Sequence, residues 1–267
     1  MHETERHRII AAAVQSRPVA TVADLVEMTG ASEATIRRDI ASMHVAGKLR
    51  RVRGGAESVT PLPQSALAGR PYKVNETMHA GAKRAIARAA ADMIADGDSI
   101  IINGGTTTFQ MVHHMSHRRA HVFTNSFPIA AHLLAHSRSA VMVPGGTIYR
   151  EQNIILSPFD NDTSKSFYAS RMFISCQGVG PLGLMETDPM LIQAELKLID
   201  QADELICLAD SSKLRNRSSL ILCGLDRVST LITDRGITEE EREMVAGRGV
   251  RLIVADADIQ DQSARTA

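Results

Sequence analysis

Ser32-Glu-Ala-Thr-Ile-Arg-Arg-Asp-Ile40 and, a few residues later, Gly47-Lys-Leu-Arg-Arg-Val-Arg-Gly-Gly-Ala56 are the two runs on which the reading of this chain turns. Ser32 is a helix-capping residue and predicts a helix over 33–46, closed by Gly47 in a left-handed conformation. Ile36, Ile40 and Met43 fall on one side of that helix. The 100° step puts Arg38 on the far side, flanked by Ala34, Thr35, Arg37 and Ser42. Upstream, residues 3–15 carry Ile9, Ile10, Ala13 and Val14 on one apolar face until Pro18 stops the helix. Thr21 then caps a short helix over 22–29, with Leu25 and Val26 as its buried residues and Gly30 as its end. Two helices joined by a Gly-Ala turn, the second bearing arginines opposite its core stripe, make a helix-turn-helix.

The second run reads as a short strand with Leu49 and Val52 as apolar residues, then a glycine turn. A hairpin beside a recognition helix is a wing, and Arg50, Arg51 and Arg53 on it can reach phosphates or the adjacent minor groove. Ser32, Glu33, Thr35, Arg37 and Arg38 lie toward the entering end of the helix, where base edges come within reach, with Ser42 further along. Lys48 adds a cation before the wing. Between Arg37 and Arg53 six basic side chains face Asp39 alone, a local charge of +5. The partner this pattern implies is double-stranded DNA.

Composition narrows the rest. The 267 residues hold 30 basic and 30 acidic side chains, which excludes a generally polybasic protein, and from Gly54 onward 21 basic residues face 24 acidic ones, a net of −3. Aromatics are 3% with no Trp, which argues against a stacking platform for single-stranded nucleic acid. Cys176, Cys207 and Cys223 are too few and too widely spaced for a disulfide framework or a C-x-x-C metal site. With a charged amino terminus and no long apolar run, the expectation is a soluble protein of a reducing compartment, the cytoplasm, with no membrane partner.

The quoted runs resemble the signature of the DeoR family of bacterial sugar-metabolism repressors. That resemblance implies a winged helix-turn-helix over 1–57. Residues 58–81, with Pro61, Pro63 and Pro71, have no sustained period and read as a linker. From residue 82 apolar runs recur at 99–102, 121–124, 140–143, 172–176, 204–209, 228–233 and 250–255. Helical stretches at 83–95, 107–117, 128–136, 190–201 and 238–247 lie between most of them. This alternation predicts an α/β domain over 82–256 with a mostly parallel sheet covered on both faces, and 257–267 read as a disordered tail.

In such sheets ligands bind beyond the carboxyl ends of the strands. The first strand ends in Asn103-Gly104-Gly105-Thr106-Thr107-Thr108 at the start of a helix, a credible phosphate cradle that is neither a P-loop nor a dinucleotide fingerprint. Other strand ends offer Thr124-Asn125-Ser126, Pro144-Gly145-Gly146, Cys176-Gln177-Gly178-Val179 and Ala209-Asp210-Ser211-Ser212-Lys213. The family resemblance, which runs from about Lys83 to Leu231, implies a sensor domain resembling ribose-5-phosphate isomerase with a phosphorylated sugar as effector. On that basis Lys83 and Gly104 to Thr108 hold phosphate, while Asn125, Gly146, Gln177, Asp188, Glu195, Asp210 and Lys213 surround the sugar. Two positions depart from the family pattern: Asn103-Gly104 stands where an aspartate and a small residue are common, and Leu214-Arg215 replaces an aromatic-glycine pair.

Asn153-Ile-Ile-Leu-Ser-Pro158 and Gly183-Leu-Met-Glu-Thr-Asp188 are similar to the ascorbate-6-phosphate repressor branch. In combination with Phe109-Gln-Met-Val-His113 and Thr124-Asn-Ser-Phe-Pro128 they look more like rhizobial repressors of rhamnose catabolism, the preferred branch. His113 and His117, and His132 and His136, are each one helical turn apart, but neither pair has the H-E-x-x-H arrangement and no metal is assigned. Met172, Met185 and Met190 read as packing. Glu195, Lys197 and Asp188 could move protons on a sugar phosphate, which keeps an isomerase-type enzyme as the alternative. With a DNA-binding head attached, the favoured reading is a non-enzymatic regulator without a cofactor, working as a homo-oligomer, dimer or tetramer.

Overall fold

The computed structural model describes residues 2–16, 20–57, 59, 72–159 and 162–256. Pro18, the prolines at 61, 63 and 71 and the tail at 257–267 lie outside the described residues. The chain divides into two compact units, Met1–Ser65 and Ala66–Ala267.

The first unit holds α1 (Glu3–Ser16), β1 (Ala20–Thr21), α2 (Val22–Thr29), α3 (Glu33–Val45), β2 (Arg50–Val52) and β3 (Gly55–Glu57). Thr21 and Asp24 form a reciprocal capping box on α2, and Gly30 closes that helix at φ 66°. The Ser32 side chain accepts the Thr35 amide at the start of α3. The wing hairpin β2–β3 is antiparallel and β1 pairs with its second strand. Ile10, Leu25, Ile36, Ile40, Met43 and Leu49 form the core. Asp39 joins this buried face instead of opposing the basic surface. It is 5% exposed, and Arg6 donates to both its oxygens, at 2.8 and 3.2 Å, with His7 3.3 Å away. Burial alone would raise its pKa, but the Arg6 and His7 bonds hold it below the ordinary value.

The second unit opens with α4 (Tyr72–Thr77) and α5 (Ala80–Ala91), so part of the stretch expected to be plain linker is helical. α4 has only six residues, too short to show a period, and is anchored by the buried Tyr72 and Asn75. There follow β4 (Ser99–Ile102), α6 (Thr106–Val112), β5 (His121–Thr124), α7 (Phe127–His136), β6 (Ala140–Met142), β7 (Thr147–Tyr149), β8 (Ile154–Leu156) and β9 (Ala169–Ile174). The chain continues through β10 (Gly178–Gly180), β11 (Gly183–Glu186), α8 (Pro189–Ile199), β12 (Ala202–Leu208), α9 (Ser212–Arg215), β13 (Leu220–Cys223), β14 (Thr230–Asp234), α10 (Glu239–Ala246) and β15 (Arg251–Ala255).

Seven parallel strands make one sheet in the order β15-β14-β12-β9-β4-β5-β6. Alternate residues point to opposite faces. Ile100, Ile102, Phe173 and Ile206 pack with Ile86, Met111 and Leu133 of α5, α6 and α7, while Ile101, Met172, Ile174 and Leu205 pack with Leu198 and Val245 of α8 and α10. The chain runs from β4 outward to β5 and β6, then returns to β9 on the other side of β4. That reversal leaves a crevice between the carboxyl ends of β4 and β9. Two small antiparallel additions, β10-β11-β13 and β7-β8, escaped the sequence reading because strands of three or four residues carry too little pattern. Met172 and Met185 are buried as expected, but Met190 is 49% exposed and does not pack in the core. α6 stops at Val112, so His113 and His117 do not share a helical face.

Candidate functional sites

On the first unit the outward face of α3 and the wing carry the cations. Arg38, Lys48, Arg51 and Arg53 are exposed. Arg37 is paired with Glu33 at 3.0 Å, both partners largely in solvent, and Arg50 is paired with Glu57. These two pairs temper the expected basic surface, and being exposed they are cheap to open. Ser32 and Ser42 are exposed and Thr35 half-buried.

On the second unit the crevice at the sheet's turning point contains a small polar cavity of about 40 Å³, walled by Gly104, Gly105, Thr106, Thr107, Ser175, Cys176, Gln177, Glu186, Glu195 and Lys213, with Tyr72, Asn75, Gln152 and Leu191 completing it. The backbone can come this close only because the loop is glycine. A Cβ on Gly105 would lie 1.8 Å from Ser175 Oγ, and one on Gly104 would lie 2.3 Å from Ile154 Cγ2. The Gly104 amide donates to Asn125 Oδ1 at 2.8 Å. The Thr108 hydroxyl is spent inside the loop, donating to the carbonyls of Asn103 and Gly105, so it braces the cradle without facing it.

Asn103 explains how a buried acid is held beside this loop. Its Nδ2 donates to Glu195 Oε1 at 2.7 Å, and its Oδ1 accepts the Ser175 amide at 3.0 Å. Glu195 is 3% exposed, and its Oε2 has no partner among the described residues. Burial, then the neighbouring Glu186, push the Glu195 carboxyl well up. Burial also pushes Glu186 to about 7, against the pull of backbone amides and Lys213. Facing them, Lys213 Nζ donates to Gln177 Oε1 at 3.2 Å. Lys83 sits one layer behind the wall, donating to the Asn75 carbonyl. Burial pushes its ammonium down to about 8, although Asp210 pulls the other way. Asp210 Oδ1 accepts the Ser212 amide at 3.1 Å, while its buried Oδ2 has no partner among the described residues.

The structure thus brings Gly104, Gly105, Thr106, Thr107, Gln177, Glu195 and Lys213 into one wall, with Asn103, Asn125, Lys83 and Asp210 immediately behind it. It leaves others outside. Ser126 caps α7, and Asp188 caps α8, accepting the Met190 amide at 2.8 Å. A Cβ on Gly146 would strike the Leu156 carbonyl, and one on Gly178 the Asn216 carbonyl, so these two serve close backbone packing. Cys176 lies in the wall as its strand-end position suggested, whereas sequence reasoning missed Tyr72, Asn75, Gln152, Ser175, Glu186 and Leu191. Glu186 ends β11, all four of whose residues are buried, and its position in that short strand gave no sequence signal of its own. A larger cleft of about 480 Å³ opens on the other side of Asn125, between the β7–β8 hairpin and α8, with Tyr149, Gln193 and Lys197 among its lining. That cleft carries Arg150 and Lys197, whereas the glycine loop opening α6 and Lys213 line the smaller cavity.

A winged helix-turn-helix joined in sequence to an α/β unit with a cation-bearing cavity at its strand ends defines a DNA-binding regulator with a sensing domain. Residues 6–61 match the DeoR-like helix-turn-helix domain and residues 78–235 the DeoR C terminal sensor domain. The chain belongs to the DeoR family. It is 32% identical over 254 residues to the HTH-type transcriptional regulator UlaR of Shigella dysenteriae serotype 1, covering 95% of this chain and 99% of that protein. The UlaR of Escherichia coli strain K12 / DH10B matches over the same span at the same identity. Among solved structures, ribose 5-phosphate isomerase A from Methanocaldococcus jannaschii is similar over 49% of this chain and 52% of that one, at 15% identity and a TM-score of 0.37. The eIF2B delta subunit from Chaetomium thermophilum is similar over 51% and 48%, at 17% identity and a TM-score of 0.36. No described helix is long and apolar enough to cross a membrane.

Proposed function

We propose that this regulator represses a sugar-catabolism operon and that a phosphorylated sugar, bound at the carboxyl end of the parallel sheet, sets its affinity for the operator. One observation carries the reading: the glycine loop opening α6 and Lys213 line one cavity together with Gln177, Glu186 and Glu195. Oriented amides and a lysine suit a phosphate, and the side chains of Gln177 and Glu195 suit sugar hydroxyls. The cavity is about the size of one water, so entry of a sugar phosphate requires the wall to move. α4, carrying Tyr72 and Asn75, is the wall element that follows directly on residues 58–71, which lead back to the wing. Its displacement is the proposed route from effector to head, and it would free Lys83 from the Asn75 carbonyl to meet the phosphate.

On the head, Arg38, Arg51, Arg53 and Lys48 meet phosphates and base edges, with Ser32, Glu33, Thr35, Arg37, Ser42 and Arg50 at the margins of that surface. A homo-oligomer supplies the two heads that a two-part operator requires. The test is operator binding by fluorescence anisotropy, using DNA from upstream of the chain's own gene and its neighbours, with a panel of sugar phosphates. The panel includes ascorbate 6-phosphate and the phosphorylated intermediates of rhamnose breakdown, the latter being the branch we favour. One compound should shift operator affinity by about 5- to 150-fold, the usual range of such coupling. Indifference to every compound, or failure to bind DNA at low salt, would reject the proposal.

The competing reading, an isomerase-type enzyme, draws on the buried Glu195 beside the cradle. We favour a sensor because Glu195 is tied to Asn103 and serves to orient a ligand. Turnover of an aldose phosphate to a ketose phosphate, abolished in Glu195→Gln, would reverse that preference.

A further inference from the structure

The fold brings together three imidazoles that sequence spacing had set in separate pairs. His132 and His136 lie one turn apart on α7, their ring centroids 4.6 Å from each other. His113, the residue capping the end of α6, stacks edge-on against His132 with centroids 4.5 Å apart. Phe109 backs the group, 5.1 Å from the His113 ring and 6.0 Å from that of His132. His132 is half-buried in the middle, while His113 and His136 are exposed and stand at helix ends.

We propose that His113, His132 and His136 form a binding site for a borderline transition-metal dication, with Zn²⁺ or Ni²⁺ as the type. Two histidines at i and i+4 on one helix face already hold an ion from two sides. A third from the neighbouring helix completes a three-imidazole set with one position left for water. Imidazole is the ligand these metals prefer among nitrogen and oxygen donors. In the present rotamers the rings form a chain, with His132 central. The outer two reach a common centre by turning about their side-chain bonds, which their exposure permits. An ion here would tie the end of α6 to α7, and α6 is the helix whose first turn carries Thr106 and Thr107 of the cavity wall.

The test uses untagged full-length protein and Zn²⁺ alone, followed by the imidazole ring signals in NMR, with Ni²⁺ titrated calorimetrically in parallel. One equivalent should shift the rings of His113, His132 and His136 together, with a dissociation constant on the order of micromolar. His136→Ala and His132→Gln should each weaken binding by at least about tenfold, the lower bound seen even for outer-shell changes at metal sites. His117→Ala should leave it unchanged. His136 is exposed, so its variant tests the site without threatening the fold. Uptake unaltered in both ligand variants, or no ring shift at 100-fold that concentration range (about 0.1 mM), would overturn the assignment. So would binding that disappears in His7→Gln, which would place the ion at the Glu3, His7 and Asp39 group of the first unit.

Discussion

Glu186→Gln isolates the electrostatic character of the cavity. The wild-type carboxyl is 3% exposed, and burial raises it from its ordinary 4.5 to about 7. In the unfolded chain it ionises near 4.5; in the folded chain it keeps its proton until about 7. Between those values the folded state binds a proton that the unfolded state has released, so rising pH favours unfolding, and the loss levels off above 7. A carboxyl raised that far contributes on the order of a few kcal/mol. Glutamine keeps the shape and an acceptor for the Thr187 amide, but it cannot ionise.

Wild type and variant should therefore be of similar stability near pH 4.5. By pH 8 the variant should be the more stable by a few kcal/mol, the difference building up between about pH 4.5 and 7. Urea unfolding followed by far-ultraviolet circular dichroism across pH 4.5 to 8 reads this directly. Glu195, present in both proteins, contributes to both curves, and a Glu195→Gln companion separates its share. A stability difference that stays constant over that range would refute the reasoning, because it would mean that Glu186 ionises in the fold as it does in water.

Three further outcomes follow from the same geometry. Asp39→Ala removes the acceptor of the Arg6 and His7 bonds and should cost the first unit about 2–3 kcal/mol, seen as early loss of DNA binding on heating while the sensor transition is unmoved. Because the Asp39 carboxyl is held below its ordinary 3.8, its stabilisation should be complete at neutral pH and fall away only as the pH drops below that value. Arg38→Ala should weaken operator binding and reduce the salt slope by about 1; in gel-shift titrations at several salt concentrations Arg37→Ala should do less, since Glu33 already occupies Arg37. Gly105→Ala should abolish the effector response in anisotropy assays while operator binding survives, because the added Cβ would press on Ser175 Oγ inside the cradle.

The parallel sheet was legible in the sequence because strands buried on both faces leave continuous apolar runs, of which Ile100-Ile101-Ile102 is the plainest. The helix-turn-helix was legible because Thr21, Gly30, Ser32 and Gly47 mark its boundaries chemically. Asp39 was misread as a surface charge, although the same 100° step places it beside Ile36 and Met43 on the buried side. α4 left no trace because a six-residue helix held by one aromatic and one amide has no period. The convergence of His113 with His132 depends on how α6 and α7 pack and lies beyond any linear reading, while the direct bond of Asn103 to Glu195 adds detail to a grouping the family resemblance had implied.

Asn103, where the family often has aspartate, turns out to bear on the ligand through Glu195. Its amide nitrogen, 2.7 Å from Glu195 Oε1, is the donor that a carboxylate could not supply. An aspartate there would set two acids face to face and force them to share a proton. With asparagine no proton need be shared, and its donor favours the ionised Glu195 carboxyl, while burial and then Glu186 push that carboxyl up. The phosphate of the proposed effector would bring about −1.5 to −2 charges at neutral pH, and two ionised glutamates would oppose it. The raised carboxyls reduce the negative charge of the wall that Lys213 shares, while Asp210 still bears on Lys83 behind it. The other departure has a different consequence: Arg215 is engaged by Glu241 at 3.0 Å and by the Gly236 carbonyl, and Leu214 is buried. Neither side chain of that pair belongs to the cavity wall, so of the two departures it is Asn103 that bears on the cavity, through a bond that favours ionised Glu195 against the burial that raises it.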